Sequence, residues 1–352
     1  MTMEGGISPT PGHALKELLV DYAYYGVRPR VWISSQKLAR LGFQRLAVEM
    51  LVNEYSIRES KGLAGVIWKE VFEGRVLTIH GGKGLERYEA EVVSGDGEIS
   101  WRDLEARLPD PPFPLIAVDL GLWRLHSEEE IAKLRIQVAM SLSVVREYLW
   151  DRHLALTSAT GDIKESLQTL MGRNKALITS ARPNELLWSV GAEEIIILRP
   201  DAPEDLTPED VMKAQAFLIG GIVDLIPRRG ISRVLDRMVP WGKPRRITLR
   251  GSIIGVPDRI NRIVEILLKA RFLYRGDIER AIVSSMSKRD VSRRLFVEVM
   301  RASESRGGRR VIRAEKFDEL REWLPISWED FLEAARKAKA EVVGGEGSGG
   351  GS

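Results

Sequence analysis

The pattern of apolar and polar positions changes character twice along the chain. From His13 to about Leu108, short helical and strand-like segments are mixed. Leu38 to Val52 has helical spacing, and Val76-Leu-Thr-Ile79 and Arg87 to Val93 read as strands with Gly81-Gly-Lys-Gly84 as a turn between them. Pro109-Asp-Pro-Pro-Phe-Pro114 cannot continue a helix and marks a domain boundary. Beyond it the rhythm is strand–helix–strand. Leu115 to Leu120 reads as a buried strand, and Ser127-x-x-Glu130 is a capping box. The helix it opens places Ile131, Leu134, Val138, Leu142, Val145 and Leu149 on one face. Leu154 to Ala159, Ala176 to Thr179 and Glu194 to Leu198 read as further strands, so a parallel, layered α/β domain is the simplest architecture.

Thr207-Pro-Glu-Asp210 carries an N-cap and a first-turn proline. Ala216-Phe-Leu-Ile219 follows as a continuous apolar run, the pattern of a strand buried on both faces. Arg246 to Arg250 reads as another strand, and Pro257-Asp258 opens a helix bearing Ile260, Ile263, Val264 and Leu267. Residues 274–340 read as helical, with a last helix starting at Ser327 to Asp330 and ending near Ala340. The expected domains are an α+β domain over 12–108, an α/β domain over 113–273, a basic helical domain over 274–340 and a disordered tail over 341–352.

Composition narrows the class. A chain of 352 residues with 44% hydrophobic and 29% charged residues fits a globular protein with a sizeable core. No window reaches the roughly 20 apolar residues that span a bilayer. Met1 to Pro11 lacks the apolar core of a secretory signal, so a cytoplasmic location is expected. Cysteine is absent and His13, His80, His126 and His153 are scattered, which leaves no thiolate chemistry and no expected metal site. Net charge is only +3, but it is unevenly placed. Between Leu225 and Arg250 eight basic residues face one acid, Asp236; between Arg275 and Arg313 eleven face five. Such local excess suits a phosphate-binding face.

The candidate chemistry centres on Gly220, Gly221 and Asp224. The two glycines remove side chains where the buried strand ends, so that a ligand or another backbone can approach. Asp224 and the arginine-rich turn after it suit a cofactor, a polyanion or both. On spacing alone a buried strand with a Gly bulge, a capping Asp and solvated arginines is the favoured reading, because short Gly motifs recur widely without function. Arg199 to Glu204 leaves the carboxyl end of a strand, the edge at which open α/β sheets bind ligands. No G-x-G-x-x-G follows the first strand, and Gly81 to Gly84 lacks the surroundings of a P-loop.

Leu198-Arg-Pro-Asp-Ala-Pro203, Phe217-Leu-Ile-Gly-Gly-Ile-Val-Asp224 and Asp258-Arg-Ile-Asn-Arg-Ile-Val-Glu-Ile-Leu-Leu268 resemble, in that order, the Trm10 family of tRNA position-9 methyltransferases. Val118-Asp-Leu120, the helix with Gln137 and Leu156-Thr-Ser158 fit the same pattern, over about Phe113 to Phe272, and archaeal members are the nearest in pattern. Asp258-Arg259 stands where eukaryotic members have a small or apolar pair.

The resemblance implies a SPOUT-type, trefoil-knotted parallel-sheet domain between the two flanking domains, and a monomer. It implies S-adenosylmethionine as donor and N1 of purine 9 in tRNA as acceptor, with adenosine favoured and guanosine possible. The residues implied for the cofactor are Leu198, Arg199, Asp201, Gly220, Gly221, Asp224, Met238, Pro240, Lys243, Ile254, Pro257 and Asn261. Those implied for RNA are Arg228, Arg229, Arg233, Arg237, Arg245 and Arg246. Asp224 is the expected catalytic residue, as general base toward guanine N1–H or as a group orienting adenine. A SPOUT enzyme acting on another RNA, or a catalytically idle RNA-binding subunit, are the competing readings.

Overall fold

A computed structural model of the chain describes residues 9–29, 33, 35–223 and 233–344. It divides into two compact units, one made of residues 1–199 and 212–244, the other of 200–211 and 245–352.

The first unit begins with α1 (Pro11–Asp21), capped by the Thr10 side chain, then β1 (Gly26–Pro29), α2 (Ser35–Asn53), β2 (Tyr55–Phe72), β3 (Arg75–Ser94) and α3 (Trp101–Ala106). The strands form a sheet of order β1-β3-β2, with β2 and β3 antiparallel and β1 parallel to β3. Two expectations change here. β2 has no clear two-residue alternation and was not anticipated. β3 is one long strand rather than two short ones around a turn. Its Gly84 lies against Gly65 of β2, where an added Cβ would sit 2.6 Å from the Gly65 Cα. The glycines therefore permit close approach at an irregular ladder. α2 is interrupted at Gly42, φ 49°, because the Trp68 ring occupies the space a side chain would need.

The main sheet uses β4 (Leu115–Asp119), α4 (Glu128–Tyr148), β5 (Leu154–Thr157), α5 (Asp162–Met171), β6 (Leu177–Ile178), α6 (Pro183–Ser189), β7 (Ile195–Leu198), α7 (Pro208–Lys213), β8 (Ala216–Gly220), α8 (Val234–Met238) and β9 (Lys243–Arg245). Strand order is β6-β5-β4-β8-β7-β9, and the pairings of β4, β5, β6, β7 and β8 are parallel. β4, β5, β7 and the body of β8 are buried, as continuous apolar runs require. Leu115, Ala117, Ala155, Ile195, Ile197, Ala216 and Leu218 share a core with Leu186, Leu187, Leu235 and Val239 of the helices. α4 opens on the Ser127–Glu130 capping box and buries Leu134, Val138, Leu142 and Val145, with Leu149 beyond its end; Ile131 is only half-buried. Gln44 of α2 donates to the Leu149 carbonyl at 2.8 Å and accepts from the Gly12 N–H at 2.9 Å, tying the amino-terminal elements to the end of α4.

The second unit contains α9 (Ile260–Leu268), a π-helical turn over Lys269–Leu273, α10 (Ile278–Ser285), α11 (Lys288–Ala302), β10 (Glu304–Arg306), β11 (Arg309–Arg313), α12 (Lys316–Arg321), α13 (Trp328–Lys337) and β12 (Ala340–Val343). The region expected to be helical thus holds a sheet of order β10-β11-β12. Gly307 and Gly308, φ 57° and 78°, turn β10 into antiparallel β11, and β12 pairs parallel to β11 where a tail was expected. Buried Ile312 faces the unit's core with Leu295, Val299, Leu324 and Phe331. The expected strand over Arg246 to Arg250 is also absent. Asp205 instead holds Arg246 at 2.5 Å and Thr248 at 2.9 Å, and Arg250 and Gly251, φ 48° and 71°, turn the chain.

Candidate functional site

The carboxyl edge of the main sheet gathers chemistry around Asp119, the last residue of β4. Its carboxylate is buried, 3% exposed, and accepts from Ser158 Oγ at 2.7 Å and Thr157 Oγ1 at 3.2 Å. Burial pushes its pKa up, against the lowering effect of those hydroxyls and of the Gly121 N–H. Ser158 is a non-glycine residue at φ 54°, a conformation costing about 1–2 kcal/mol. It is held there by its N–H to the Ala181 carbonyl at 2.8 Å and by its hydroxyl on Asp119.

β8 ends beside β4, with Asp119 paired to Gly220. The Gly221 N–H donates to the Asp119 carbonyl at 2.7 Å. A Cβ on Gly221 would lie 2.7 Å from that oxygen and 2.8 Å from Leu120 Cδ2, whereas one on Gly220 would meet nothing nearer than Ile222 Cδ1 at 3.3 Å. Two residues on, the Val223 N–H donates to His126 Nε2 at 3.0 Å. The other ring nitrogen, Nδ1, lies 3.1 Å from the Trp123 carbonyl. Since Nε2 accepts, Nδ1 carries the hydrogen and donates to Trp123. The segment leading to Asp224 is therefore fixed at both ends, by Asp119 and by His126.

Of the expected cofactor residues in the first unit, Leu198 ends β7 beside Ile219, so it shares this edge with Gly220 and Gly221. Arg199 follows, buried and ion-paired to Asp236 of α8 at 3.0 Å. Lys243 is not brought to this edge, and Pro240 is exposed in the turn after α8. Met238 packs on the sheet core, and Lys243 pairs at 2.6 Å with Glu194, which precedes β7 at the opposite, amino edge. Gly242 lies against Ile197, which fixes the loop there. Asp224, Arg228 and Arg229 lie outside the described residues.

In the second unit, Asp201 and Ile254 are exposed, and Pro257 is buried. Asn261 opens α9, 4% exposed, and its Oδ1 is buried without a hydrogen-bond partner among the described residues. An amide oxygen in that state is poised for a donor. The loop before it is braced by α11. Arg294, fully buried, donates to the Ile254 carbonyl at 3.3 Å and pairs with Glu298 at 2.7 Å. Gly255, φ 80°, presses against Arg294, where an added Cβ would sit 2.6 Å from Arg294 Cβ.

The expected RNA-binding residues divide. Arg233 and Arg237 are exposed beside and on α8. Arg245 and Arg246 are engaged internally: Arg245 holds Glu204 at 2.6 Å and Asp210 at 2.8 Å, and Arg246 holds Asp205. Their charge is neutralised by partners about forty residues away in sequence, which a local charge count does not register. Asp119, Ser158 and His126 were missed as site residues. A carboxylate closing a buried strand was the available signal for the first. Among the described residues no acidic and histidine group is arranged to hold a metal ion, and no helix is long and apolar enough to cross a membrane.

A family model described as protein arginine N-methyltransferase SFM1-like matches residues 139–248. A tRNA (adenine(9)-N1)-methyltransferase of Sulfolobus acidocaldarius is 31% identical over 283 residues, covering 76% of this chain and 87% of that protein. A tRNA (guanine(9)-/adenine(9)-N1)-methyltransferase of Thermococcus kodakarensis is 32% identical over 246 residues, 67% of this chain and 64% of that protein, so the match spans under two thirds of that relative. Among solved structures, Sulfolobus acidocaldarius Trm10 in complex with S-adenosylhomocysteine superposes with a TM-score of 0.65 at 25% identity, covering 94% of this chain and 99% of that one. The parallel sheet is accordingly of the SPOUT type; the segment that would carry a knot includes residues outside the described ones. With the ordered motifs, the sheet and a relative matched along most of its length, the chain belongs to the Trm10 family.

Proposed function

We propose that this protein transfers a methyl group to N1 of the purine at position 9 of tRNA, with adenosine the favoured base. The observation that carries the reading is the similarity over most of the chain to a Sulfolobus enzyme named for adenine 9; the Thermococcus relative, named for both bases, keeps guanosine as a second substrate. The protein is read as a cytoplasmic monomer.

S-adenosylmethionine is the proposed cofactor and would supply an electrophilic methyl group. The buried Oδ1 of Asn261, which has no hydrogen-bond partner among the described residues, suits a ligand amine or hydroxyl donor, which fits such a cofactor. Ile254 and Pro257 precede Asn261 in the same unit and are proposed to contribute, as is Asp201. In the first unit the proposed contributors are Leu198, Arg199, Gly220, Gly221 and Asp224, through backbone groups as much as side chains.

Purine N1 lies on the Watson–Crick edge, so the base must leave its stack before its N1 can be attacked in line. Asp224 is proposed to take the N1 proton of guanine, or to orient adenine, whose N1 already offers a lone pair. His126 and Asp119 act through the backbone, holding the segment that delivers Asp224. Arg228, Arg229, Arg233 and Arg237 are proposed to meet RNA phosphates, which position the RNA without reading its sequence.

The test is methylation of matched tRNA transcripts carrying A9 or G9, with the modified nucleotide located by primer extension and identified by mass spectrometry. N1-methylation at position 9, faster on A9, is expected. Methylation at another position would identify a different RNA site. Cofactor-independent tRNA binding without methylation would identify an idle binding subunit, and labelled protein arginine would overturn the RNA reading.

A further inference from the structure

The second unit carries an open cleft of about 710 Å³ between the β10–β11 hairpin and the junction of α13 with β12. Its walls include Arg309 and Arg310 on the hairpin and Lys339 at the junction, with Glu341 the one acid. Arg310 reaches Met300 Sδ, and among the described residues no carboxylate forms an ion pair with any of the three cations. Three neighbouring cations differ: Arg306 pairs with Glu304, Lys316 with Glu319, and Lys337 with Glu333.

Lys339 is one of seven non-glycine residues at positive φ among the described residues. It follows the Ala338 C-cap of α13 and sits at φ 53°, the left-handed position that ends many helices and that glycine fills without steric penalty. A cation there could serve the helix dipole, but Arg336 and Lys337 already occupy the last turn. A side chain kept in a strained conformation at the wall of a cleft points to use of its charge.

We propose that this cleft binds the sugar–phosphate backbone of RNA, with Arg309, Arg310 and Lys339 as the phosphate contacts. The lining contains no aromatic ring on which a base could stack and no Asn or Gln to read a base edge. What remains is positive charge, small side chains at Ala338 and Ala340, and the backbone around Gly308. That chemistry holds a polyanion without sequence preference. Glu341, in the same cleft, opposes the binding and limits its strength.

The proposal rests on the reading of this chain as a tRNA enzyme, and the experiment separates the two. Full-length protein and its variants are titrated with tRNA transcript over a range of salt, alongside melting curves and methyl transfer by the unaltered protein. Lys339→Gly relieves the left-handed strain, so melting temperature should hold or rise while tRNA affinity falls severalfold. Replacing Arg309, Arg310 and Lys339 together by Ser should reduce the slope of log affinity against log salt by about 2 to 3, three contacts at 0.7–0.9 each. Glu341→Gln should tighten binding. Unchanged affinity and salt slope in the triple variant, with the unaltered protein methylating tRNA, would overturn the cleft and leave the function standing. Weaker binding in the variants of a protein that methylates nothing would support the cleft and remove the function. Binding to phosphatidylserine vesicles but not to tRNA, lost in the same variants, would overturn the choice of partner.

Discussion

The N–H of Gly221 and the carbonyl of Asp119 are 2.7 Å apart, and a side chain on Gly221 would have to enter the same space. The second glycine of the pair is therefore required by the neighbouring strand's backbone, independently of any ligand. Gly220 faces the flexible side-chain tips of Ile222 and Leu235. Gly221→Val should lower unfolding stability by about 2–3 kcal/mol through overpacking, and Gly220→Ala by less than about 1. Chemical denaturation of the cofactor-free protein measures both. Equal, small losses would show that the Asp119 carbonyl yields easily and that the pair matters only to ligands.

His126 should behave as a positioning residue. Its Nε2 is the acceptor for the Val223 N–H, one residue before Asp224. His126→Phe leaves that N–H without a partner, at a cost of about 1–3 kcal/mol, and should lower the methylation rate at saturating cofactor and tRNA. His126→Gln, whose Oε1 can reach the same place, should recover most of the rate. If Phe and Gln variants lose rate alike, the acceptor is not what matters.

Asp119 gives the stability of the protein a distinctive dependence on pH. Burial holds its folded pKa above the ordinary value of 3.8. Between those two values the folded chain holds a proton that the unfolded chain has lost, so this group's contribution falls as pH rises through the window and is level above it. Asp103, Asp205, Asp210 and Asp330 are shifted down and act in the opposite sense, so the informative quantity is a difference. Melting temperature of Asp119→Asn minus that of the unaltered protein should grow as pH rises from about 4 and then level off. A flat difference across that range would show that Asp119 does not titrate there.

Arg294 should matter more to its loop than to overall stability. Replacing both members of a buried ion pair by apolar groups of similar volume is often near neutral, so Arg294→Met combined with Glu298→Leu should change stability by about 1 kcal/mol or less. It removes the bond to the Ile254 carbonyl, however, so amide exchange at Gly255 and Val256 should quicken and cofactor affinity weaken. Gly255→Ala, at φ 80° and against Arg294, should by contrast destabilise the fold by about 2 kcal/mol or more. Unchanged exchange in the Met variant would remove Arg294 as a brace.

What could be read without a structure was whatever is written in local pattern. The buried runs at Leu115, Leu154, Ile195 and Ala216, the Ser127–Glu130 box and the apolar face of α4 follow from continuous apolar stretches, from a cap spanning three residues and from a period of 3.6. The family likeness, too, lies in short ordered strings such as Gly220-Gly-Ile-Val-Asp224. What the tertiary structure decided was partnership at a distance. Arg245 and Arg246 look like a phosphate face until Asp210 and Asp205 are folded against them. Lys243 comes soon after Gly220 in the chain, but α8 lies between them and the chain has returned to Glu194, at the opposite edge of the sheet. The β10–β12 sheet escaped notice because strands of three to five residues show too few alternations to set a period, and only the pairing of β11 with β12 completes their hydrogen bonds. Asp119, Gly221, His126 and Val223 come from separate stretches of sequence. They meet because parallel strands end together at one edge, a relation that exists only once the sheet has closed.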